Sequence, residues 1–526
     1  MAADPEAPGY GRREFARRAG AAGLALGLAG CGASAPRTPA PAPGPGPVRR
    51  PGSVAPAVGG TSLADLADVV RGAVITSGSA AYAGARRIYN EAYDGDRPLA
   101  VVRPLDEADV RATLRWAARR DVVVRPRGGG HSYAGYSTGD GAVVVDLREL
   151  SGVAFDRGTG VASIGPGAQL AAVYARLAVR GVTIPAGSCP AVGLGGHALG
   201  GGIGLAGRAL GLTADNIVGA RMITADGVLH QAGTSAGEDA DLLWALRGAG
   251  AGNFGVVTRL RMRTHPVSPT SWFSISWPWS AAGEALDAWQ RLVPGAPEAL
   301  TSVFHLSAGG GSVGVSASGQ YFGPASRLAG LLAPLTAVGG GRLSSGTDQY
   351  LDLMLRWAGC LDISLASCRT EPAGSLPRAR FAAKSDYVAR ALPAAGRQLL
   401  ISAVERASVD GSLSSAAILL DSYGGAINRI RPAATAFVHR DALFGIQYLT
   451  YYPSAGQRSA AGAWLRGAWA PMRGYVSGEA YQNYIDPDLI GWERAYYATN
   501  YPRLQQTKAK YDPDRRFDFA QAISAA

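Results

Sequence analysis

Lysine is nearly absent from this chain of 526 residues, occurring only as Lys384, Lys508 and Lys510. The formal net charge of +11 is therefore an arginine charge, and no Lys/Arg run with interleaved aromatics accompanies it. Residues 1–60 hold seven arginines against three acids, which leaves +7 for the remaining sequence. At that density the charge reads as a solvated surface, and no nucleic-acid partner is expected. No apolar run is long enough to span a bilayer, which takes about 20 residues. No internal repeat appears, and no metal is expected. Cysteine is scarce, with four residues. Glycine is abundant at 72, which implies many turns; 47% apolar and 17% charged content suit a globular chain with a large core and two or three domains.

Two glycine-rich stretches stand out. Asp121-Val122-Val123-Val124 reads as a buried strand and leads into Arg125-Pro126-Arg127-Gly128-Gly129-Gly130-His131-Ser132-Tyr133. Three consecutive glycines let the backbone turn tightly and its N–H groups converge on an anion. A histidine directly after them suits a dinucleotide phosphate with a side chain aimed at its ring. A Gly-rich turn with a surface histidine is the alternative. About sixty residues on comes Gly187-Ser188-Cys189-Pro190-Ala191-Val192-Gly193-Leu194-Gly195-Gly196-His197, running on to Gly200-Gly201-Gly202.

Around these stretches the chain reads as follows. Leu99–Val102 is a strand, Glu107–Arg120 a helix with Val110, Leu114 and Ala117 on one face, and Asp121–Val124 completes a βαβ unit, which favours a parallel pair. Ala142–Leu147 is a further buried strand, Gln169–Arg180 a helix, Ala220–Thr224 a strand, Ala240–Leu246 a helix, and Asn253 begins a last strand. After His265-Pro266 the texture changes. Trp272–Trp277, Ser312–Ser318 and Gly445–Tyr451 alternate strictly, as antiparallel strands with one wet face do, with helices near Ala281–Leu292 and Ser459–Trp469.

The two glycine stretches, with Tyr481-Gln482-Asn483-Tyr484-Ile485-Asp486 and the following Trp492, Tyr496-Tyr497 and Asn500, resemble the berberine-bridge-enzyme-like family of FAD-linked oxidases within the vanillyl-alcohol-oxidase fold group. The resemblance runs from about Asp94 to Phe519. It implies an α+β chain: a PCMH-type FAD-binding domain of two α/β subdomains over 61–267, a substrate domain with an antiparallel sheet backed by helices over 268–478, and a C-terminal segment over 479–526 that returns to the flavin domain. It also implies FAD held by two covalent bonds, from His131 to the flavin 8-methyl position and from Cys189 to C6. Arg127, Gly128, Gly129, Gly130, Ser132, Val192, Gly193, Gly196, His197, Gly201, Val256 and Asn483 are then flavin contacts. A small residue at Val192 leaves a path for O2 and implies an oxidase rather than a dehydrogenase, with ordinary packing as the alternative. Tyr484 matches a tyrosine used as catalytic base, or it serves as a hydrogen-bonding group alone. A phenol's pKa near ~10 means that a base role needs help from a neighbour. Gln447 stands near the place of a glutamate base in the berberine bridge enzymes proper; it cannot abstract a proton, which favours simple alcohol oxidation. Asp421 and Tyr423 either line the pocket or cap a turn, and His197 either contacts the cofactor or supports its loop. The implied reaction moves a hydride from the carbinol of a sugar or secondary metabolite to FAD, with O2 returning as H2O2.

The N-terminus reads as an address. Arg12-Arg13-Glu14-Phe15 before Ala21–Cys31 resembles a Tat export signal, and Leu28-Ala29-Gly30-Cys31 resembles a lipobox that would place a lipid on Cys31. Residues 1–31 are then leader and 32–60 a Pro/Ala/Gly-rich tether, and the chain is expected outside the cytoplasmic membrane as a monomer, touching lipid only through Cys31. Export permits disulfides: Cys360 and Cys368, with seven residues between them, are expected to pair, which leaves Cys189 as the odd thiol. Two rival readings remain. Gly193-Leu194-Gly195-Gly196-His197-Ala198 with Asp215 fits a nicotinamide-dinucleotide fingerprint, but Pro190 stands where its strand should run. A non-enzymatic exported lipoprotein that kept the fold to bind a metabolite is the other.

Overall fold

The computed structural model describes residues 63–526. The leader, Cys31 and the tether lie outside the described residues.

The first sheet contains β1 (Ala73–Thr76), β2 (Ala100–Arg103), β3 (Val124–Arg127) and β4 (Val143–Asp146), in the order β1-β2-β4-β3. Strands β2, β4 and β3 run parallel, and β1 joins antiparallel at the edge. The helix Glu107–Arg119 crosses over from β2 to β3, its N-terminus capped by Asp106, which accepts from the Ala108 and Asp109 N–H groups. β2 and β3 are not neighbours, because β4 inserts between them. All four β4 residues are buried, as a central parallel strand requires. β3 begins three residues later than the β-branched run suggests, since Asp121 takes a positive φ of 56° where the helix ends. The strand therefore carries Arg125-Pro126-Arg127 up to the glycine loop.

The second sheet is antiparallel throughout. Its strands are β5 (Val153–Asp156), β6 (Val161–Ile164), β8 (Ile217–Ile223), β9 (Leu229–Ala232) and β10 (Val256–Arg263), in the order β5-β6-β10-β8-β9. A short pair, β7 (Val182–Thr183) with β11 (His265–Pro266), closes this half.

The third sheet has seven antiparallel strands: β12 (Thr270–Trp277), β13 (Leu300–Gly309), β14 (Ser312–Tyr321), β15 (Arg342–Asp348), β16 (Phe381–Val388), β17 (Ser415–Ser422) and β18 (Phe444–Tyr451), in the order β15-β12-β14-β13-β17-β18-β16. Helices Ala282–Gly295, Ala394–Ser408 and Arg458–Trp469 pack on one face, where Phe304, Leu306, Ile418, Leu420 and Tyr448 meet Trp289, Leu400 and Trp464. The fold is thus α+β. The expected wet face survives on β12, where Trp272, Ser274 and Ser276 alternate as half-exposed residues. It fails on β18, where every residue from Phe444 to Thr450 is buried. The second face of this strand, one in from the sheet edge, lines the cavity described below.

The C-terminal segment closes back on the first sheet. The Val124 N–H donates to the Arg516 carbonyl at 2.8 Å. Lys508, fully buried, donates to the Asn253 and Phe517 carbonyls at 2.7 and 2.9 Å and pairs with buried Asp512. Cys360 and Cys368 form a disulfide.

Candidate functional site

The two glycine stretches meet backbone to backbone. A Cβ on Gly129 would stand 2.2 Å from the Gly193 nitrogen, and one on Gly193 would stand 2.1 Å from the Gly129 nitrogen. Only glycine permits that approach. The second stretch is held from behind by the helix Leu170–Ala178, whose Leu170 and Ala171 N–H groups donate to the Val192 and Pro190 carbonyls at 3.0 and 3.1 Å. These carbonyls occupy donors that a helix N-terminus leaves open. His197 accepts from the Gly187 N–H through Nε2 at 3.0 Å, which closes the Cys189 loop on itself. Asn483 then donates to the His197 carbonyl at 2.9 Å, and the Tyr481 hydroxyl accepts from the Gly202 N–H at 2.8 Å, so the C-terminal segment clamps the same turn.

One cavity runs between these loops and the open face of the third sheet. Its lining includes Gly128, Gly129, Gly130, His131, Ser132, Cys189, Val192, Gly193, Gly196, His197, Gln447, Asn483 and Tyr484. Three expected cofactor contacts lie elsewhere. Arg127 points away from the cavity into the core, donating to Asp146 at 2.9 Å and to the Ala85 carbonyl at 2.6 Å. Val256 is fully buried among Val143, Val145 and Phe517, and strand alternation gives its neighbour Val257 to the cavity instead. Gly201 packs against Phe437 and Tyr481, where a Cβ would stand 2.8 and 3.2 Å from their rings. The odd thiol expected at position 189 is also corrected: Cys189 is disulfide-bonded.

His131 stacks on Tyr89, ring centroids 4.3 Å apart and planes 13° from parallel, and its ring makes no hydrogen bond among the described residues. Burial holds its pKa down to about 4, so the imidazole is neutral near neutral pH. Tyr484 stacks on Tyr133 at 5.4 Å and meets the edge of Tyr481 at 4.9 Å. Gln447 donates to the Tyr133 hydroxyl at 3.0 Å, so it orients the tyrosine that backs Tyr484.

Asp421 lines the same cavity and accepts no hydrogen bond among the described residues. Burial pushes its carboxyl up to about 7. Burial first, and then the Asp421 charge, pushes the Tyr484 phenol well above its ordinary 10. Tyr484 is therefore a neutral phenol near pH 7, and it can take a proton only by passing one on. A carboxyl poised near neutrality and coupled to it is a suitable receiver. Asp421 cannot be told from a turn cap by its sequence neighbours, Ser422-Tyr423-Gly424-Gly425. The available signal was a carboxylate closing the apolar run Ala416–Leu420, in phase with Leu419 on the cavity face. Tyr423 does not line the cavity; its hydroxyl lies 3.0 Å from that of Tyr387.

These residues fit FAD. The glycine contact leaves a floor free of side chains, where backbone can approach a pyrophosphate. A Cβ on Gly196 would meet nothing within 4 Å, so this floor stays open, and the neutral His131 ring stands at its edge.

Residues 98–233 match the family model described as FAD binding domain, and residues 480–524 the one described as Berberine and berberine like. The chain is 33% identical to an uncharacterized FAD-linked oxidoreductase, YgaK, of Bacillus subtilis, over 80% of this chain and 89% of that one. It is 32% identical to the chitooligosaccharide oxidase of Gibberella zeae, over 81% and 87% of the two chains. Among solved structures, Physcomitrella patens BBE-like 1 matches with a TM-score of 0.82 and 32% identity, covering 89% of this chain and 100% of that one.

Proposed function

This chain belongs to the berberine-bridge-enzyme-like FAD-linked oxidoreductases, and on that premise we propose that it is an oxidase of a carbinol, either a sugar hemiacetal or a secondary-metabolite alcohol. The observation that carries the reading is that Tyr484 and Asp421 line the same cavity that the glycine loops close. Bound FAD supplies the hydride acceptor and returns the two electrons to O2 as H2O2. The chain supplies the proton path. Tyr484 receives the substrate hydroxyl proton as its own is passed on within the cavity, whose nearby carboxyl, Asp421, makes no direct hydrogen bond to it, and Tyr133, fixed by Gln447, holds the phenol in place. The named oligosaccharide oxidase among the relatives supports a sugar hemiacetal as the carbinol.

His131 and Cys189 are the proposed attachment points. The neutral, unbonded imidazole supports the first. Sulfur attachment requires that the Cys189 disulfide be absent from the loaded enzyme. Export through the twin-arginine leader with a lipid on Cys31 belongs to the same proposal, and membrane fractionation of a Cys31→Ser variant tests it. For the reaction, anaerobic mixing with a panel of sugars and phenolic alcohols should bleach the flavin absorbance, and readmitted O2 should yield one peroxide per flavin reoxidised. A flavin that no carbinol reduces would leave only a metabolite-binding protein.

A further inference from the structure

The turn from Gly130 to Tyr133 carries both His131 and the tyrosine that backs Tyr484. Two consecutive residues of an earlier segment hold its two ends. At the first end the Tyr89 N–H donates to the Gly130 carbonyl at 3.0 Å, while the Tyr89 ring stacks on His131. At the second end the Asn90 side-chain amide donates to the Tyr133 carbonyl at 3.3 Å. The same amide donates to the Phe381 carbonyl at 3.0 Å. Its oxygen accepts from the Phe381 N–H at 3.4 Å and from the Ala92 N–H at 3.1 Å. Phe381 is the first residue of β16. One side chain therefore ties the turn to the sheet that walls the opposite side of the cavity.

Asn90 is 1% exposed and does not line the cavity. Two donors and an oxygen that accepts twice use its amide in full; an ionised aspartate of the same size has no donor, and a leucine has neither function. The sheet also grips Tyr133 by its ring. The hydroxyl accepts from Gln447 on β18 at 3.0 Å, and the ring meets Phe381 edge-on, centroids 4.7 Å apart. β16 and β18 are ladder neighbours, with Phe381 opposite Tyr451 and Ser385 opposite Gln447, so these two holds belong to one rigid body. Asn90 adds the hold on the backbone. Without it the turn is free to shift beneath a ring that the sheet still grips, and the shift passes to Tyr484, stacked on Tyr133 at 5.4 Å.

We propose that Asn90 is a positioning residue for flavin reduction: by joining the Tyr133 carbonyl to the start of β16, it sets the flavin turn against the substrate sheet and so sets the approach of the carbinol to the flavin. This rests on the carbinol-oxidase reading above. Asn90 stands outside the cavity and acts through Tyr133.

The test uses flavin-loaded Asn90→Ala, with Glu91→Gln as control. Glu91 lies on the same segment and pairs with Arg380 at 2.9 Å, away from the cavity lining. With the carbinol that best reduces the wild type, the limiting anaerobic rate of flavin reduction should fall by roughly 10- to 100-fold in Asn90→Ala, the effect of a displacement of about 1 Å. The half-saturating concentration should change by less than about threefold, because ground-state binding is retained. Glu91→Gln should match the wild type in both. In a Tyr133→Leu background, Asn90→Ala should cost less than about twofold, since residues that act as one unit are not additive. Independent losses in the double variant overturn the proposal, as does an unchanged limiting rate in Asn90→Ala. Before substrate is added, the visible circular dichroism of the bound flavin should be altered in Asn90→Ala and not in Glu91→Gln. If no carbinol reduces the flavin, the oxidase reading falls and this spectrum decides alone: an altered one supports the positioning role, an unchanged one overturns it. Should Asn90→Ala fail to fold, Asn90→Asp takes its place. Loss of fold or flavin in both variants marks a purely structural residue and overturns the proposal.

Discussion

Gly129 and Gly193 touch through their backbones, so closely that a β-carbon on either would stand 2.2 or 2.1 Å from the other's amide nitrogen. Gly129→Ala must therefore push the two flavin loops apart. We expect a loss of roughly 1–3 kcal/mol of stability, the usual cost of overpacking, together with loss of bound flavin. Gly152→Ala, whose added carbon meets nothing within 4 Å, is the control and should retain both. The ratio of flavin to protein absorbance and the melting temperature check the pair.

Tyr484→Phe retains the ring stack on Tyr133 and removes the hydroxyl. The anaerobic rate of flavin reduction should fall by roughly 10²-fold or more, within the range of general acid–base contributions. Flavin content should not change. A reduction rate equal to that of the unaltered enzyme would remove Tyr484 from the proton path.

Asp421 gives that path a pH dependence. Its carboxyl must be ionised to receive a proton, and burial places its pKa at about 7. Flavin reduction should therefore rise with pH through about 7 and level off above it, and Asp421→Asn should be slow and lack that limb. Stability runs the other way. A carboxyl whose folded pKa is raised keeps its proton longer in the native state, so the native state binds more protons than the unfolded one between about 4 and 7, and stability falls as pH rises through that window. Urea midpoints of wild type and Asp421→Asn should diverge across it, with the variant gaining at the upper end.

Lys508 anchors the C-terminal return. It is fully buried, pairs with Asp512 and donates to two carbonyls from separate segments. Lys508→Met leaves Asp512 buried without its cation, which costs about 3–5 kcal/mol in such pairs. Because the same segment presents Tyr484 and Asn483, the flavin environment of the variant should open on mild heating, seen as a rise in flavin fluorescence, before the third sheet unfolds. A fluorescence rise coincident with the loss of far-ultraviolet circular dichroism would contradict this.

Much of the framework was legible because periodicity survives where burial is one-sided or complete. Val143–Val145 reads as a buried strand and is one; Ala240–Leu246 reads as a helix and forms one over those residues. The errors share a physical cause: the face a residue presents depends on partners distant in sequence. Gly445–Tyr451 alternates as if half-wetted, yet cavity and C-terminal segment cover its second face. Val256 and Val257 differ by one position, and that one position decides which meets the cavity. Arg127 sits at the mouth of the glycine loop, but the fully buried Asp146 draws it inward. His305 and Thr301 carry no local signal at all, because the cavity that they line is closed by Ser318, Trp357 and Thr370, from other parts of the chain.

At the centre stands the proposal that residues around this cavity hold FAD covalently, His131 on one side and Cys189, freed of its disulfide, on the other. The direct measurement is to precipitate the purified protein in acid, wash it, and determine the masses of the tryptic peptides that contain these two residues. The account predicts a yellow pellet, with both peptides joined through one flavin. A colourless pellet, with both peptides free of flavin mass, would contradict it.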